Sequence, residues 1–219
     1  MLCDTLTKIF TFFDSSPLPF SPLPNMSKPV VTIIVAALKP LYGIGNKGSL
    51  PWRLRKEMAY FKRVTTRTVD PSLRNAVIMG RKTWDSIPTK FRPLPNRLNV
   101  VLSRSFDNKV IDENILHASS VEDSLKLVRE ENIERVYVIG GAEIYNEFIK
   151  SGLVDNVLLT EIEHSEQEEI AMDTFLKFDV NQWTKLSKSE LIQFTGEEAI
   201  DDDNQENKFV YNYTLWQKR

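Results

Sequence analysis

One acidic residue stands out in the stretch GIGNKGSLPWRLRKEMAYF, residues 43–61. Helical spacing puts Glu57 on the same face as the apolar residues Leu54, Met58 and Phe61. A carboxylate on an apolar face costs free energy unless a partner or a ligand compensates its burial. Two interpretations stay open. Glu57 pairs with a neighbouring Arg or Lys, which the spacing alone favours, or it binds a ligand in a pocket.

The residues around Glu57 predict a loop followed by a helix. Gly43, Gly45 and Gly48 allow positive φ angles and a close approach of the backbone to a ligand. Pro51 suits the first turn of a helix because its fixed φ matches helical geometry. The sequence therefore predicts a glycine-rich loop that leads into a helix beginning near Pro51.

Three predicted strands end in groups that can bind a ligand: two of them suit an anion, and the third is a glycine pair without side-chain bulk, where a ligand could cross the strand ends. Backbone amides, small hydroxyls and guanidinium groups all suit a phosphate, and a helix N-terminus adds a favourable dipole. A plain turn or a solvated loop is the alternative for each, and the glycine pair lacks the G-x-G-x-x-G pattern of dinucleotide-binding loops. The three groups are Gly80-Arg81-Lys82-Thr83, Ser103-Arg104-Ser105 and Gly140-Gly141.

Charge is unevenly distributed along the chain, although the formal net charge is only −2. Residues 53–104 contain 13 Lys and Arg against 3 Asp and Glu, whereas residues 161–206 contain 3 against 14. The basic part predicts an anionic partner, either a nucleic acid or a phosphorylated or polycarboxylate small molecule. The acidic part argues against a nucleic-acid-coated protein and is otherwise typical of solvated surface.

Length and composition are those of an ordinary globular protein. The 219 residues are 42% hydrophobic and 26% charged, which predicts one compact domain. No apolar run approaches the ~20 residues that span a bilayer. Cys3 is the single cysteine and the two histidines are far apart, so we expect no intrachain disulfide, a reducing compartment and no metal site.

Residues 1–25 differ from the rest of the chain. FDSSPLPFSPLPN contains four prolines without a period and predicts no regular structure, so we expect a disordered extension. It is a poor signal peptide and a poor mitochondrial presequence, because it lacks a basic n-region and arginine. An upstream start codon before Met26, or an organelle-directed variant, is our interpretation.

Hydrophobic patterning predicts an α/β fold in which strands and helices alternate. Such an order favours a largely parallel sheet with helices on both faces and ligands at the carboxyl ends of the strands. We predict a rigid extended linker at 88–95 and a C-terminal antiparallel hairpin of 183–191 and 209–216, joined by the acidic loop 196–207. The predicted buried strands are residues 30–38, 75–79, 98–102, 115–118, 135–139 and 157–162.

Four motifs in series identify a family resemblance. GIGNKGSLPWRLRKEMAYF, VIMGRKTWDSIP, FRPLPNRLNVVLSRS and VYVIGGAEIY resemble, in this order and spacing, the monofunctional yeast-type dihydrofolate reductases. The resemblance covers residues 26–219 and implies a mixed, mostly parallel eight-stranded sheet with helices on both faces and a C-terminal antiparallel hairpin. The chain is too short for the thymidylate synthase domain that is fused to this enzyme in some organisms.

The resemblance implies an NADPH-dependent oxidoreductase that reduces 7,8-dihydrofolate to tetrahydrofolate for one-carbon metabolism. Hydride would move from nicotinamide C4 to pterin C6, and a proton would be added at N5 through water. Glu57 would bind the pterin 2-amino group and N3, with Thr160 completing the network and Trp52 holding a water. Arg97 would clamp the α-carboxylate of the glutamate tail, and the Gly140-Gly141 step would be a cis peptide.

The resemblance also implies two sets of contact residues. NADPH is expected rather than NADH, because Ser103, Arg104 and Lys82 would meet its 2′-phosphate. The substrate set is Ile34, Val35, Leu50, Glu57, Phe61, Thr83, Ser86, Ile87, Leu94, Arg97, Ile139 and Tyr145. The cofactor set is Ala36, Ile44, Gly45, Gly48, Ser49, Gly80, Arg81, Lys82, Thr83, Leu102, Ser103, Arg104, Ile139, Gly140, Gly141, Ala142, Glu143, Ile144 and Tyr145.

Partners, compartment and alternatives complete the expectation. We expect dihydrofolate and antifolate inhibitors as small-molecule partners, a monomer, no nucleic acid, no membrane, and the cytoplasm, or mitochondria if residues 1–25 are translated. The reductase of riboflavin synthesis is an alternative enzyme, but it needs neither Glu57 nor Arg97. A cofactor- or RNA-binding module without catalysis is the alternative from another class, and it predicts damage at Glu57, Trp52 or the glycine pair.

Overall fold

The computed structural model describes residues 28–166 and 170–219, which form a single twelve-stranded sheet with helices on both faces. The strands are β1 Val30–Leu38, β2 Gly43–Gly45, β3 Arg74–Gly80, β4 Arg97–Leu102, β5 Lys109–Asp112, β6 Ile115–Ala118, β7 Ile133–Gly140, β8 Asn156–His164, β9 Thr174–Phe175, β10 Trp183–Lys185, β11 Asn204–Glu206 and β12 Phe209–Lys218. The helices are α1 Arg55–Thr66, α2 Arg81–Ser86, α3 Val121–Arg129, α4 Ala142–Ser151 and α5 Lys188–Thr195, with short 3-10 turns at Thr89–Phe91 and Val180–Gln182.

The centre of the sheet is parallel and its margins are antiparallel. The strand order is β10-β12-β8-β1-β7-β3-β4-β6-β5, with β2 and β9 added beside β1 and β11 beside β12. Strands β8, β1, β7, β3, β4 and β6 pair in parallel, whereas β12 runs antiparallel to β8 and β5 antiparallel to β6. The carboxyl ends of the parallel strands therefore share one edge, where ligands of such sheets bind.

Two apolar cores cover the two faces of the sheet. Along β1 the side chains alternate, so that Ile33 packs in the core beneath α3 and α4, while Ile34 packs in the core beneath α1 and α5. Strand β1 is buried almost throughout, as its continuous apolar run predicts for a central strand. The α/β prediction with helices on both faces is confirmed.

The sheet has twelve strands where eight were expected, and four of the twelve are short. β2, β9, β10 and β11 have two or three residues each. Segments this short carry too few residues for an alternating pattern to be detected in the sequence. The predicted strands at 30–38, 75–79, 98–102, 115–118, 135–139 and 157–162 all lie within observed strands.

Helix α1 begins later than the sequence predicts. Its first residue is Arg55 and its N-cap is Leu54, so Pro51 lies outside it. Trp52 and Leu54 are both buried while Pro51 and Arg53 are exposed, which is the alternation of an extended segment. An extended chain buries both apolar side chains against β12, and this packing outweighs the preference of proline for a first turn.

The C-terminal region corrects two predictions. The predicted strand at 183–191 is β10 for only three residues, and α5 follows from Lys188. A capping box starts this helix, because Ser187 accepts from the amide of Glu190 and Glu190 bonds back to the amide of Ser187. The acidic loop contains β11, so the observed terminal hairpin is β11 with β12.

The proline-rich linker is also less extended than predicted. Residues 89–91 form a 3-10 turn, and the Arg92–Pro93 bond is cis. The bend that follows is held by the buried side chain of Asn99, which bonds both the amide and the carbonyl of Leu94. The predicted extension at 1–25 lies outside the described residues.

Candidate active site

Glu57 lies in the first turn of α1 and makes no ion pair with any residue that the structure describes. Its neighbour is Thr160 of β8, whose hydroxyl donates to Glu57 Oε1 at 3.4 Å. Burial raises the pKa of Glu57 to about 7, although the bond from Thr160 acts in the opposite direction. The ion-pair interpretation is therefore wrong, and the carboxyl can gain or lose a proton near neutral pH.

The buried face of α1 differs from the predicted one. Met58 is 56% exposed, whereas Tyr60 and Val64 are buried. The Tyr60 ring packs on that of Tyr213 from β12, with ring centroids 3.9 Å apart. The side of α1 that faces the sheet carries Glu57, Tyr60 and Val64, which contact β8 and β12 or pack in the core beneath the helix.

Arg97 is a second buried ionisable group without an opposite charge. Only 3% of it is exposed, and within the described chain no carboxylate lies within salt-bridge distance. Its Nη1 donates to Thr65 Oγ1 at 2.7 Å, and its Nε donates to the carbonyl of Pro95 at 3.1 Å. Burial lowers the pKa of Arg97 to about 10, so the guanidinium still carries its charge at neutral pH.

One helix holds both groups. Glu57 and Thr65 are eight residues apart, which corresponds to about 12 Å along α1. The C-terminal end of α1 is fixed by the buried side chain of Asn75, whose amide donates to the carbonyls of Thr65 and Arg67. A carboxyl and a guanidinium thus lie at the two ends of one rigid element.

An apolar wall accompanies these two groups. Its buried member is Ile34 of β1, on the face of the sheet that α1 covers. Its partly buried members, all predicted substrate contacts, are Phe61, Ile87, Leu94 and Ile139. A flat, mostly apolar ligand fits such a surface.

Two predicted substrate residues are placed differently from this wall. The side chain of Val35 packs in the core on the opposite face of the sheet, so only its backbone can face the wall. Adjacent strand residues point to opposite faces, and Ile34 and Val35 cannot both present their side chains to one pocket. Leu50 is 53% exposed in the segment that precedes Trp52.

Thr83, Ser86 and Tyr145 lie around the ends of the central strands. The Ser86 hydroxyl donates to the carbonyl of Thr83 at 2.7 Å and so serves the end of α2. The Tyr145 hydroxyl is buried and donates to the carbonyl of Ile34 at 3.0 Å, which ties α4 to β1. Tyr145 therefore has a structural bond of its own at the base of the pocket.

The glycine pair joins β7 to α4 through the predicted cis peptide. Gly140 has a φ of +110°, and a Cβ there would lie 3.0 Å from the Tyr145 ring. A Cβ on Gly141 would lie 3.3 Å from Thr83 Oγ1, and one on Gly80 would lie 3.0 Å from Ile144. The three glycines let α2 and α4 converge on the strand ends, where Gly141 caps α4 without a side-chain bond.

Basic and hydroxyl side chains cluster at the carboxyl end of β4. Arg81 Nη1 lies 3.4 Å from Ser105 Oγ, and Ser103 Oγ lies 2.9 Å from Ser105 Oγ. Arg81, Lys82 and Arg104 are exposed, and none of them pairs with an acidic residue of the described chain. This donor set suits a phosphate. The remaining predicted cofactor residues near these strand ends are Leu102, Ala142, Glu143 and Ile144.

The predicted glycine loop is a strand and a turn. Gly43 needs to be small because a Cβ would lie 2.6 Å from Met172 Cε, and Gly48 has a φ of +76° with open space around it. Asn46 and Ser49 bond each other through their backbones and close the turn. The predicted cofactor residues in or beside this hairpin are Ala36, Ile44, Gly45, Gly48 and Ser49.

Trp52 belongs to a small core at the edge of the sheet. It packs with Leu54, Tyr211 and Phe209, and its ring centroid is 6.3 Å from that of Phe209. The side chain is 7% exposed. Trp52 thereby anchors the extended segment that leads into α1.

The basic part of the sequence serves two purposes. Arg63 pairs with Glu197, Arg67 bonds the carbonyl of Gly196, and Arg74 pairs with Glu131. These cations bind the chain itself, whereas Arg97 and the Arg81 cluster remain available to anions. Charge counting alone cannot separate the two groups.

Several residues that support the site were not predicted from the sequence. Thr65 holds Arg97, Asn99 fixes the bend before it, and Tyr213 packs beside the helix that carries Glu57. The sequence could have indicated Thr65, because it follows Glu57 by eight residues and so lies on the same face of α1. Asn99 and Tyr213 had no such signal, because Asn99 reaches the backbone of Leu94 only through the bend between them, and Tyr213 meets Tyr60 only through the packing of α1 on β12.

The described residues contain no cluster of His, Cys, Asp and Glu that could hold a metal ion. Among the helices that the structure describes, none is long and apolar enough to cross a membrane. The site combines an apolar wall with a titrating carboxyl at one end, a guanidinium at the other, and a group of basic and hydroxyl side chains at the carboxyl end of β4.

Comparisons with known proteins agree with this arrangement. The family model described as dihydrofolate reductase matches residues 30–214. The chain is 64% identical over 194 residues to dihydrofolate reductase of Candida albicans, which covers 89% of this chain and 100% of that protein. It is 47% identical over 150 residues to dihydrofolate reductase of Saccharomyces cerevisiae, covering 65% of this chain and 70% of the relative.

A bifunctional relative matches over a smaller share of its length. The bifunctional dihydrofolate reductase-thymidylate synthase of Daucus carota is 49% identical over 150 residues, which is 66% of this chain and 27% of that protein. The match to the family model covers most of the chain, and the Candida relative is matched over its whole length. The chain belongs to the dihydrofolate reductase family.

Proposed function

We propose that this chain reduces 7,8-dihydrofolate to tetrahydrofolate with NADPH. The observation that carries the proposal is the pair Glu57 and Arg97, a partly buried carboxyl and a buried guanidinium without opposite charges in the described chain. They lie along one apolar wall, and Thr65, which bonds Arg97, is about 12 Å from Glu57 along α1. A folate carries a pterin with N–H donors at one end and a glutamate carboxylate at the other. Each end supplies the partner that one of these residues lacks.

Glu57 binds and orients the pterin. Its carboxylate accepts hydrogen bonds from the 2-amino group and from N3, while the Thr160 hydroxyl donates to Oε1. A carboxyl with a pKa near 7 exchanges a proton with the bound pterin and nearby water at working pH. Bound NADPH supplies the hydride for C6, and the proton reaches N5 from water, so Glu57 acts on N5 through the pterin and the solvent.

Arg97 binds the α-carboxylate of the glutamate tail. Nε and Nη1 are already fixed by Pro95 and Thr65, so the guanidinium plane is held before the substrate arrives. A fixed guanidinium makes two parallel bonds to a carboxylate, a geometry that lysine cannot match. The apolar wall between the two ends then excludes water from the pterin and the adjoining ring.

NADPH fits the surface beside this wall. Helix α4 begins after Gly141 without a side-chain cap on its first amides, which suits the pyrophosphate, and the glycines let α2 and α4 converge at the strand ends. Arg81, Ser103 and Arg104 form a phosphate-binding donor set without an acidic neighbour within salt-bridge distance in the described chain. The 2′-phosphate that distinguishes NADPH from NADH is the matching anion.

We assign the compartment from composition and the assembly from the proposed site. A single cysteine supports a reducing compartment, and the cytoplasm is our assignment. We assign a monomer as well, because the proposed contacts to both ligands come from one chain. Antifolates that carry a pterin-like head and a glutamate tail are expected to compete with dihydrofolate.

Isotope transfer tests this function. The purified chain is incubated with dihydrofolate and NADPH deuterated at C4 of the nicotinamide, and the folate product is examined by mass spectrometry and NMR. The proposal predicts tetrahydrofolate with deuterium at C6. Deuterium that remains in the cofactor, from a folded sample that binds NADPH, would support the non-catalytic binding module instead.

A further inference from the structure

The N-terminus of α1 is capped by a residue from a distant part of the chain. The N-cap residue Leu54 offers no side-chain bond to the first amides of the helix. Glu206 supplies it instead, since its Oε2 accepts from the amide of Arg55 at 2.7 Å and its Oε1 accepts from the amide of Lys56 at 2.9 Å. A carboxylate at this position satisfies otherwise unpaired amides and complements the helix dipole.

Glu206 is itself held in place. The Tyr211 hydroxyl donates to Glu206 Oε1 at 2.7 Å, and β11 places Glu206 opposite Phe209 of β12. The next residue, Asn207, donates from its side chain to the carbonyl of Arg53 at 3.3 Å. Hydrogen bonds from Tyr211 and the α1 amides lower the pKa of Glu206 despite its partial burial, so it is ionised at neutral pH.

The whole acidic segment 196–207, here called the acidic strap, runs beside α1. At its other end Glu197 pairs with Arg63, and the carbonyl of Gly196 accepts from Arg67. The strap is therefore attached near both ends of the helix that carries Glu57. This arrangement gives a physical task to an acidic segment that the sequence left without one.

Few charged groups act on Glu57. Phenols face it from three elements, namely Tyr60 on α1, Tyr145 on α4 and Tyr213 on β12. Burial raises the pKa of all three, so they are neutral at pH 7. Glu206 also acts on Glu57 and, unlike the three phenols, it is charged. Its carboxylate disfavours a second negative charge on Glu57.

We propose that Glu206 is a positioning residue for Glu57: its carboxylate replaces the missing N-cap of α1, fixes the turn that carries Glu57 and keeps a negative charge beside it. The inference rests on the proposed function for its catalytic meaning, although the capping contacts stand independently. Removing the charge removes this repulsion, so the pKa of Glu57 falls.

The test compares Glu206→Gln with Glu190→Gln. Glu190 also caps a helix, but it does so on α5 as part of the capping box, so its replacement controls for a general loss of helix capping. Glu57 is titrated by carboxyl carbon NMR in the ligand-free protein, and single-turnover hydride transfer is measured against pH. We expect Glu206→Gln to lower the Glu57 midpoint by about 0.5 pH unit and to shift the pH profile equally, while Glu190→Gln changes neither.

An unchanged midpoint in folded Glu206→Gln, or an equal shift in Glu190→Gln, would overturn the proposal. Glu206→Asp keeps the charge and is expected to restore most of the midpoint. If Glu206→Gln does not fold, Tyr211→Phe is measured instead, because it removes only the hydroxyl that holds Glu206. It should raise the KM for dihydrofolate several-fold with unchanged NADPH affinity, and no change would also count against the inference.

The NMR titration of Glu57 and the test of turnover can fail independently of each other. The NMR titration needs no turnover, so it reports on Glu206 even if the chain does not reduce dihydrofolate. Absence of turnover in the parent protein with an intact effect of Glu206→Gln on the midpoint would remove the proposed function and keep the capping role.

Discussion

At the scale of single residues, folding removes Glu57 and Arg97 from water without giving either an opposite charge among the described residues. Each loses hydration free energy, and a ligand restores it. The sequence indicated Glu57 because a carboxylate on an apolar helical face is unusual, whereas Arg97 was identified only through the family resemblance. The exposure of Met58 shows the limit of spacing, because tertiary contacts such as that of Tyr60 with Tyr213 decide which side of the helix is buried.

Replacement of Arg97 tests the clamp. Arg97→Leu is expected to raise the KM for dihydrofolate roughly 100-fold, because hydrogen bonds to a charged group contribute about 1.5–3 kcal/mol each. The KM for a dihydropterin without a glutamate tail should hardly change. Arg97→Lys keeps the positive charge but loses the two parallel N–H donors. Its KM for dihydrofolate should therefore lie between those of the parent protein and Arg97→Leu. Equal effects of Arg97→Leu on both substrates would remove the assignment.

The titration of Glu57 makes stability depend on pH. The unfolded carboxyl loses its proton near pH 4.5 and the folded one near pH 7, so the folded state holds the extra proton between these values. The contribution of Glu57 to stability therefore falls as pH rises from about 4.5 to 7, by up to about 3 kcal/mol. Glu57→Gln has no carboxyl to titrate, so its free energy of unfolding should not show this decrease. Its stability relative to the parent protein should therefore rise between about pH 4.5 and 7.

Urea unfolding of both proteins without ligand, at about pH 5 and about pH 8, measures this difference. A constant difference between the variant and the parent at the two pH values would show that Glu57 titrates normally.

At the scale of elements, the central strands were predictable because their apolar runs are short, rich in Val and Ile, and in several cases flanked by Gly or Pro. The beginning of α1 and the existence of α5 were not, since both depend on packing against β12 and on a capping box. The family motif assigned both Ile34 and Val35 to the substrate pocket. The alternation of side chains along a strand already implies that only one of the two can point to the wall. Local rules fail here where tertiary contacts choose between similar local conformations.

The junction of β7 and α4 gives a prediction at this scale. Gly140→Ala is expected to lower the free energy of unfolding by about 3 kcal/mol, because its positive φ is unfavourable and the new methyl group meets Tyr145. Gly48→Ala is the matched control, since it has a positive φ but open space, and it should lose only about 1 kcal/mol. Urea unfolding measures both, and equal losses would show that Tyr145 leaves room at the junction.

At the scale of the whole molecule, the basic and acidic parts of the sequence partly neutralise each other. The acidic strap binds Arg63 and Arg67, whereas Arg97 and the cations at the end of β4 have no acidic partner in the described chain. The chain can therefore attract polyanions to one edge while its net charge is slightly negative. Composition predicted an anionic partner, but only the fold shows which cations remain available.

Salt dependence separates these cations. Raising NaCl from about 0.05 to 0.5 M should increase the KM for NADPH more steeply than that for NADH, because screening weakens the contacts to the 2′-phosphate. Steady-state assays with both cofactors at saturating dihydrofolate measure this. Parallel salt dependences would place the 2′-phosphate away from Arg81, Ser103 and Arg104.

The central claim is that a cleft built around Glu57 reduces dihydrofolate with NADPH. The most direct measurement is the loss of NADPH absorbance on adding dihydrofolate, for the parent protein and Glu57→Gln, with and without methotrexate. The account predicts rapid, methotrexate-sensitive oxidation by the parent and a rate at about pH 7 at least roughly 100-fold lower for the variant, with NADPH affinity retained. A folded parent protein that binds NADPH without oxidising it, or a variant as fast as the parent, would contradict the account.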